Sequence, residues 1–250
     1  MRISVITPSF NQGEFIERTI RSVLDQDWPD LEYIVVDGGS TDASVEVIRR
    51  YEDRIAWWVS EPDAGQTEAL NKGLRRATGH VIAYLNSDDY YLPGAFEKAV
   101  DGLERSGANW VVGASRFVDA EGKVTQVWRP TLPSGPRRSW IFDPWGVPQP
   151  SSFWRRELFD RFGPFREDMH YCFDTEHALR LAFAGELPKI LDEELAVRVV
   201  HAAAKSAEPD QFIRESRRLA SLYAPELGAG ERAKLNLSRL ARRVGLWRFA

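Results

Sequence analysis

Over the first 113 residues the chain alternates short apolar runs with amphipathic stretches. Ile3–Thr7 is a compact apolar run; from Glu14 to Gln26, Ile16, Ile20, Val23 and Leu24 return to one helical stripe. Leu31–Asp37 is nearly continuous in Tyr33, Ile34, Val35 and Val36, the pattern of a strand covered on both faces. Asp42–Asp53 carries Val45, Ile48 and Tyr51 on one side and predicts a second helix. Ile55–Ser60 and His80–Leu85 predict strands, Thr67–Ala77 and Pro93–Ser106 helices, and Trp110–Gly113 a further strand. This rhythm predicts an α/β fold with a mainly parallel sheet between two helical layers. In such sheets ligands sit beyond the carboxyl ends of the strands.

After residue 114 the rhythm changes. Ser115–Val118 and Val124–Arg129 flank Asp119-Ala120-Glu121-Gly122, a hairpin turn signal. Residues 130–150 are rich in proline and aromatics and predict an irregular loop near the rim, followed by helices at about 155–162 and 174–184. Leu195–His201 predicts a last strand, and from Asp210 the chain turns helical and increasingly basic. These shifts divide it into 1–206, itself split at about 113, and a C-terminal helical extension, 207–250.

Composition narrows the class. Hydrophobic residues make up 43%, enough for a packed core, and the net charge of −4 gives no basic character for nucleic-acid binding. One cysteine, Cys172, permits no internal disulfide and no cysteine-built metal site. The N-terminal residues lack the apolar core of a signal peptide, and no run approaches membrane-spanning length. The expectation is a cytoplasmic protein.

Each early strand ends in polar residues: Thr7-Pro8-Ser9-Phe10-Asn11, Asp37-Gly38-Gly39-Ser40-Thr41-Asp42, Glu61-Pro62-Asp63-Ala64-Gly65-Gln66 and Asn86-Ser87-Asp88-Asp89. Together they predict a crevice along one sheet edge, although Asp42 suits a helix cap better. Asp88 and Asp89 repel one another, and a hard divalent cation relieves that repulsion. The first strand is followed by neither a G-x-G-x-x-G fingerprint nor a Walker loop, which argues against a dinucleotide dehydrogenase. Bound phosphates would instead be neutralised by metal and by scattered side chains such as Lys72.

These pieces, together with Asn71-Lys72-Gly73, resemble the successive signatures of family 2 glycosyltransferases, nucleotide-sugar-dependent enzymes of the GT-A fold. The resemblance runs from residue 1 to about 206. It implies a three-layer α/β/α sandwich, a nucleoside pocket lined by Pro8, Phe10 and Asp37, and Asp88-Asp89 holding Mn²⁺ or Mg²⁺ on the donor diphosphate. Asp89 would be the principal ligand, assisted by Asp88. Many relatives have a second acid where this chain has Gly38, which leaves recognition of the base or ribose less defined. The resemblance also implies an inverting transfer from a nucleoside-diphosphate sugar, UDP favoured, to a glycan or lipid-linked acceptor.

The acceptor hydroxyl needs a base. A carboxylate opening the helix before Ala178-Leu179-Arg180-Leu181 matches the family's base, which makes Asp174 the candidate and Glu176 the fallback; an N-cap role for Asp174 is the alternative. Gln149, in Gln149-Pro150-Ser151-Ser152-Phe153, either bonds a sugar or merely links a loop to a strand. His201 would ligate the metal, meet a phosphate, or be structural. Trp140 and Trp145, with Phe142, Arg137 and Arg138, suit an acceptor lid, since aromatic faces stack on sugar rings. The tail 230–250 has a basic amphipathic pattern that fits either peripheral contact with a membrane or packing on protein. Two other classes stay open: a sugar nucleotidyltransferase, which would want a basic glycine-rich first loop, and a catalytically silent nucleotide- or glycan-binding protein.

Overall fold

The structure is a computed structural model that describes residues 1–132, 146–201, 205 and 209–230. Nine strands form one sheet in the order β3-β2-β1-β4-β8-β6-β9-β5, with β7 paired to β6. β1 (Ile3–Ser9), β2 (Leu31–Asp37), β3 (Trp57–Ser60) and β4 (Val81–Tyr84) are mutually parallel, as the alternation predicted. Beyond β4 the sheet is mixed. β8 (Ser152–Arg155) runs antiparallel to both β4 and β6 (Trp110–Val118), while β9 (Lys189–Val199) is parallel to β6. β5 (Tyr90–Tyr91) and β7 (Val124–Trp128) complete it.

Alternation along the strands feeds two cores. Ile3, Val5, Tyr33 and Val35 face α1 (Ile16–Leu24), α2 (Ser44–Arg49) and α4 (Ala95–Ser106), through Ile16, Ile20, Val47 and Phe96. Ile6, Ile34, Val36 and Tyr84 face α3 (Gln66–Arg76), α5 (Glu157–Phe162), α6 (Phe173–Ala184) and α7 (Pro209–Tyr223). The result is the three-layer sandwich. α3 packs unusually close: a Cβ on Gly73 would lie 2.5 Å from Ile6 Cγ2, so that position takes no side chain.

Several elements differ from the sequence expectation. β6 runs unbroken through Gly113, whose missing Cβ leaves room for Glu193 O and Leu195, each 2.6 Å from where it would sit. β9 begins six residues before the predicted Leu195. Its acidic stretch is matched by cations on its neighbours: Lys98 bonds Glu193 at 2.7 Å, and Arg116 bonds Glu194 at 2.5 Å. β8 has only four residues, too few to show a period in the sequence. Of the tryptophans expected in the core, Trp110 is buried, whereas Trp57 and Trp58 are half-buried on the edge strand β3.

Candidate active site

The crevice edge around Asp37 is built from local turns. Asn11 adopts a left-handed backbone (φ 51°) just after β1, which lets its Oδ1 accept Thr41 N–H at 2.9 Å while its own N–H donates to Ser40 Oγ at 2.7 Å. Asp37 is buried and accepts from Ser40 N–H (2.8 Å), Gly39 N–H (3.2 Å), Ser40 Oγ (2.5 Å) and Ser60 Oγ (2.7 Å). It therefore holds the turn between β2 and α2 and ties it to β3. Asp63 lies against that turn: a Cβ on Gly38 would come 3.0 Å from its Oδ2. Burial pushes the Asp63 carboxyl above its usual range, despite the bond it accepts from Gly65 N–H at 2.8 Å. Phe10 projects outward, 60% exposed, beside this edge.

Two candidates sit elsewhere. The Thr7 side chain is buried within the sheet and accepts from Tyr33 Oη at 3.1 Å; Pro8 and Ser9 are buried as well, and Phe10 is the exposed residue at this strand end. Lys72 bonds Glu61 at 2.7 Å near Asp63, on the Asp37 side of the crevice.

The adjacent aspartates face different ways. Asp88 Oδ2 lies 3.1 Å from His201 Nε2, and the imidazole stacks on Phe15 with ring centroids 4.3 Å apart. Asp89 turns inward; it is 3% exposed and accepts Val199 N–H at 3.1 Å, with Asn86 Nδ2 at 3.3 Å. Burial first, and the neighbouring Asp88 charge second, push the Asp89 carboxyl up to about 8. Asn86 links onward: its Oδ1 accepts from Gln66 Nε2 at 2.7 Å, and Lys205 Nζ donates to Gln66 Oε1 at 3.0 Å. Gln149 sits on the turn into β8, where its Nε2 donates to Tyr84 O at 2.9 Å and braces the end of β4.

Asp174 is a first-turn residue of α6 and not its N-cap, which is Cys172. Thr175 N–H donates to Asp174 Oδ1 at 2.6 Å. Burial raises the Asp174 carboxyl above the usual range against that bond and against Arg198 and Lys205. Arg198 acts on both Asp89 and Asp174, and both carboxylates act on Tyr84, so the end of β4 and the start of α6 share one electrostatic neighbourhood. Glu176 does not join it. Glu176 is 2% exposed and spends its oxygens on Arg180 (3.0 Å) and on Tyr223 Oη (2.9 Å), which corrects its reading as a fallback base. The return of β9 beside β5 places Arg198 there.

Among the described residues no three His, Cys, Asp or Glu side chains gather to hold a metal. Of the expected metal ligands, Asp88 and His201 meet, whereas Asp89, the expected principal ligand, is buried and turned to Val199 N–H. Trp140, Trp145 and the rest of the expected lid lie outside the described residues, as does nearly all of the tail 230–250. No described helix is long and apolar enough to cross a membrane.

An α/β sheet whose strand ends carry turn-held carboxylates, with a further acid at a nearby helix start, forms a ligand crevice beyond those strand ends. The profile of Glycosyl transferase family 2 matches residues 4–163. An uncharacterized glycosyltransferase of Mycobacterium tuberculosis is 31% identical over 226 residues, spanning 88% of this chain and 84% of the relative. TuaG of Bacillus subtilis, a glycosyltransferase named for teichuronic acid biosynthesis, is 42% identical over 117 residues, 45% of this chain and 46% of its own length. Among solved structures, Staphylococcus aureus TarS with UDP-GlcNAc superimposes with a TM-score of 0.73 at 20% identity, over 93% of this chain and 69% of that one. A mannosyltransferase of Pyrobaculum calidifontis with GDP-Man and Mn²⁺ gives 0.62 at 22% identity, over 99% and 81%. The chain belongs to glycosyltransferase family 2. It is a glycosyltransferase with the GT-A fold.

Proposed function

We propose that the protein transfers a sugar from a nucleoside-diphosphate donor, UDP favoured, to a hydroxyl of a glycan or lipid-linked acceptor, with inversion and with the help of Mn²⁺ or Mg²⁺. The observation that carries this reading is the concentration of three groups along one edge: the Asp88–His201 pair, the Asp37–Asp63 turn, and Asp174 within reach of Arg198. Pro8, Phe10, Asp37 and Asp63 receive the nucleoside, with the exposed Phe10 ring offering a face for the base. Asp88 and His201 would hold the cation; a carboxylate with one imidazole suits Mn²⁺ or Mg²⁺ once phosphate oxygens fill the remaining positions. Such an ion supplies charge stabilisation for the departing nucleoside diphosphate. Asp89 supports from behind, pinning β9 through Val199 N–H.

Asp174 takes the acceptor proton. Its raised proton affinity makes it a stronger base than an exposed aspartate. A single displacement from the face opposite the leaving group inverts the anomeric carbon. Two relatives lend support: TarS is described with UDP-GlcNAc, and the archaeal mannosyltransferase with GDP-Man and Mn²⁺. The name of TuaG points toward a cell-envelope glycan as the acceptor class.

Calorimetric titration of UDP and GDP, with and without Mn²⁺, tests the donor half in wild type and Asp88→Ala. One nucleotide should bind only with metal, and Asp88→Ala should weaken it by about 100-fold, or ~2.7 kcal/mol. Equal affinity with and without metal would overturn the cation site. For the acceptor half, Asp174→Asn should keep that nucleotide affinity within about twofold and lower transfer by about 10²- to 10⁴-fold; unchanged transfer would remove Asp174 from the chemistry.

A further inference from the structure

α7 lies beyond the residues matched by the family profile, and much of its polar surface is directed at one short loop. Glu215 accepts three consecutive backbone N–H groups, those of His170 (2.7 Å), Tyr171 (2.7 Å) and Cys172 (2.9 Å). Arg218 donates to the Asp168 carbonyl at 2.6 Å and pairs with the Asp168 carboxylate, which Arg166 also grips at 2.8 and 3.0 Å. Ser216 Oγ lies 3.6 Å from Cys172 Sγ, and Tyr223 Oη closes the row on Glu176. From the opposite side α3 holds the same segment. Thr67 Oγ1 donates to Met169 O at 2.8 Å, and the Asn71 amide brackets Phe165, donating to its carbonyl at 2.8 Å and accepting its N–H at 3.0 Å.

This loop leads straight into α6, with Asp174 in the first turn. Three successive N–H groups bonded to the two oxygens of one carboxylate form a concave anion site just before a helix start, where the dipole also favours negative charge. The N-cap residue Cys172 supplies no side-chain bond to the helix. A carboxylate from another helix instead binds the N–H groups of the three residues that lead into α6, while Thr175 N–H inside the first turn is taken by Asp174 itself.

We propose that Glu215 anchors from α7 the three residues leading into α6 and is thereby the positioning residue for Asp174. The inference rests on the reading of Asp174 as the base, and it adds a residue from the part of the chain that the family profile leaves unmatched. The charged and titratable groups that face Asp174 are Arg198 on β9, Lys205, Tyr84 on β4 and Cys172, all retained in the variants below.

The test compares full-length wild type with Glu215→Ala and Glu215→Gln. Amide hydrogen exchange reads the anchor. The ¹³C carboxyl resonance of Asp174, assigned by its loss in Asp174→Asn, reads the base. In Glu215→Ala, exchange at 170–172 should rise at least about tenfold and the Asp174 titration midpoint should fall toward the ordinary carboxylate range, as water reaches the opened helix start. Glu215→Gln, which keeps one acceptor oxygen, should fall between the two. An unchanged midpoint in Glu215→Ala, or unchanged exchange at 170–172, overturns the proposal. If Glu215→Ala does not fold, the same two readouts on Glu215→Gln decide it. Sugar transfer retained by Asp174→Asn would end the base reading and leave the effect of Glu215 on α6 standing.

Discussion

Asp37 and Asp174 are both carboxylates at the crevice, and the chain supports them in opposite ways. Asp37 takes three of its four bonds from Gly39 and Ser40, within three residues, and the fourth from the neighbouring strand at Ser60. The loop that carries Asp174 into place is held by Thr67 and Asn71, about a hundred residues upstream, and by Glu215 and Arg218, more than forty downstream. The donor edge is thus built by short-range turns that form with their own strand ends. The Asp174 side is a junction of three helices and exists only once α3, α6 and α7 have docked. Local sets of bonds reform easily after a disturbance, whereas a junction is lost whenever any one arm leaves.

The largest expected effect tests the junction through pH. His177 on α6 is buried between Phe159, 4.7 Å away, and Phe165, 4.9 Å away, and that burial pulls its imidazole down to about 3. Its folded-state value lies below the unfolded one, so below pH 6.5 the unfolded chain binds the extra proton. Stability is then full above 6.5 and should fall by about 1.4 kcal/mol per pH unit until about pH 3. Urea midpoints between pH 7 and 4.5 should show the slope in wild type and a shallower one in His177→Phe. Parallel slopes would mean that the junction is not the acid-sensitive part.

A smaller effect is expected from Asn71→Ala, which strands the N–H and C=O of Phe165 inside the protein. It should cost about 2–4 kcal/mol and speed exchange in 165–172, while nucleotide affinity measured by calorimetry stays within about twofold. A comparable loss of nucleotide affinity would erase the distinction between the two regions. The smallest belongs to the donor edge: Ser60→Ala removes one of four donors to Asp37 and should cost about 1 kcal/mol in thermal unfolding, with exchange in 165–172 unchanged.

The difference between the regions also governs how much could be read beforehand. Every strand from β1 to β4 was visible, because each presents its own period or apolar run and its own polar terminus. The crevice at their ends followed from topology alone. The signature Asn71-Lys72-Gly73 was recognisable as a pattern, yet its three roles are unrelated to one another. Asn71 tethers the loop leading to Asp174, Lys72 pairs with Glu61, and Gly73 admits Ile6. Thr7 looked like a strand-end ligand and proves to be a sheet-interior partner of Tyr33, since a side chain on a fully covered strand meets the core on either face. Glu176 shares a helix turn with Asp174 and points instead to Arg180 and Tyr223, because residues two apart on a helix lie on different faces.

The sequence by itself determined the α/β alternation, the positions of the polar strand ends and the identity of the acids among them, because periodicity and turn chemistry are local properties. Which acid faces which way was decided only by tertiary structure. Asp88 and Asp89 are neighbours with the same side chain. Asp89 is turned inward by the N–H of Val199, and Asp88 meets His201, both delivered by a strand more than a hundred residues later. Their separate fates follow from where β9 returns beside β5, a long-range pairing that no local pattern records.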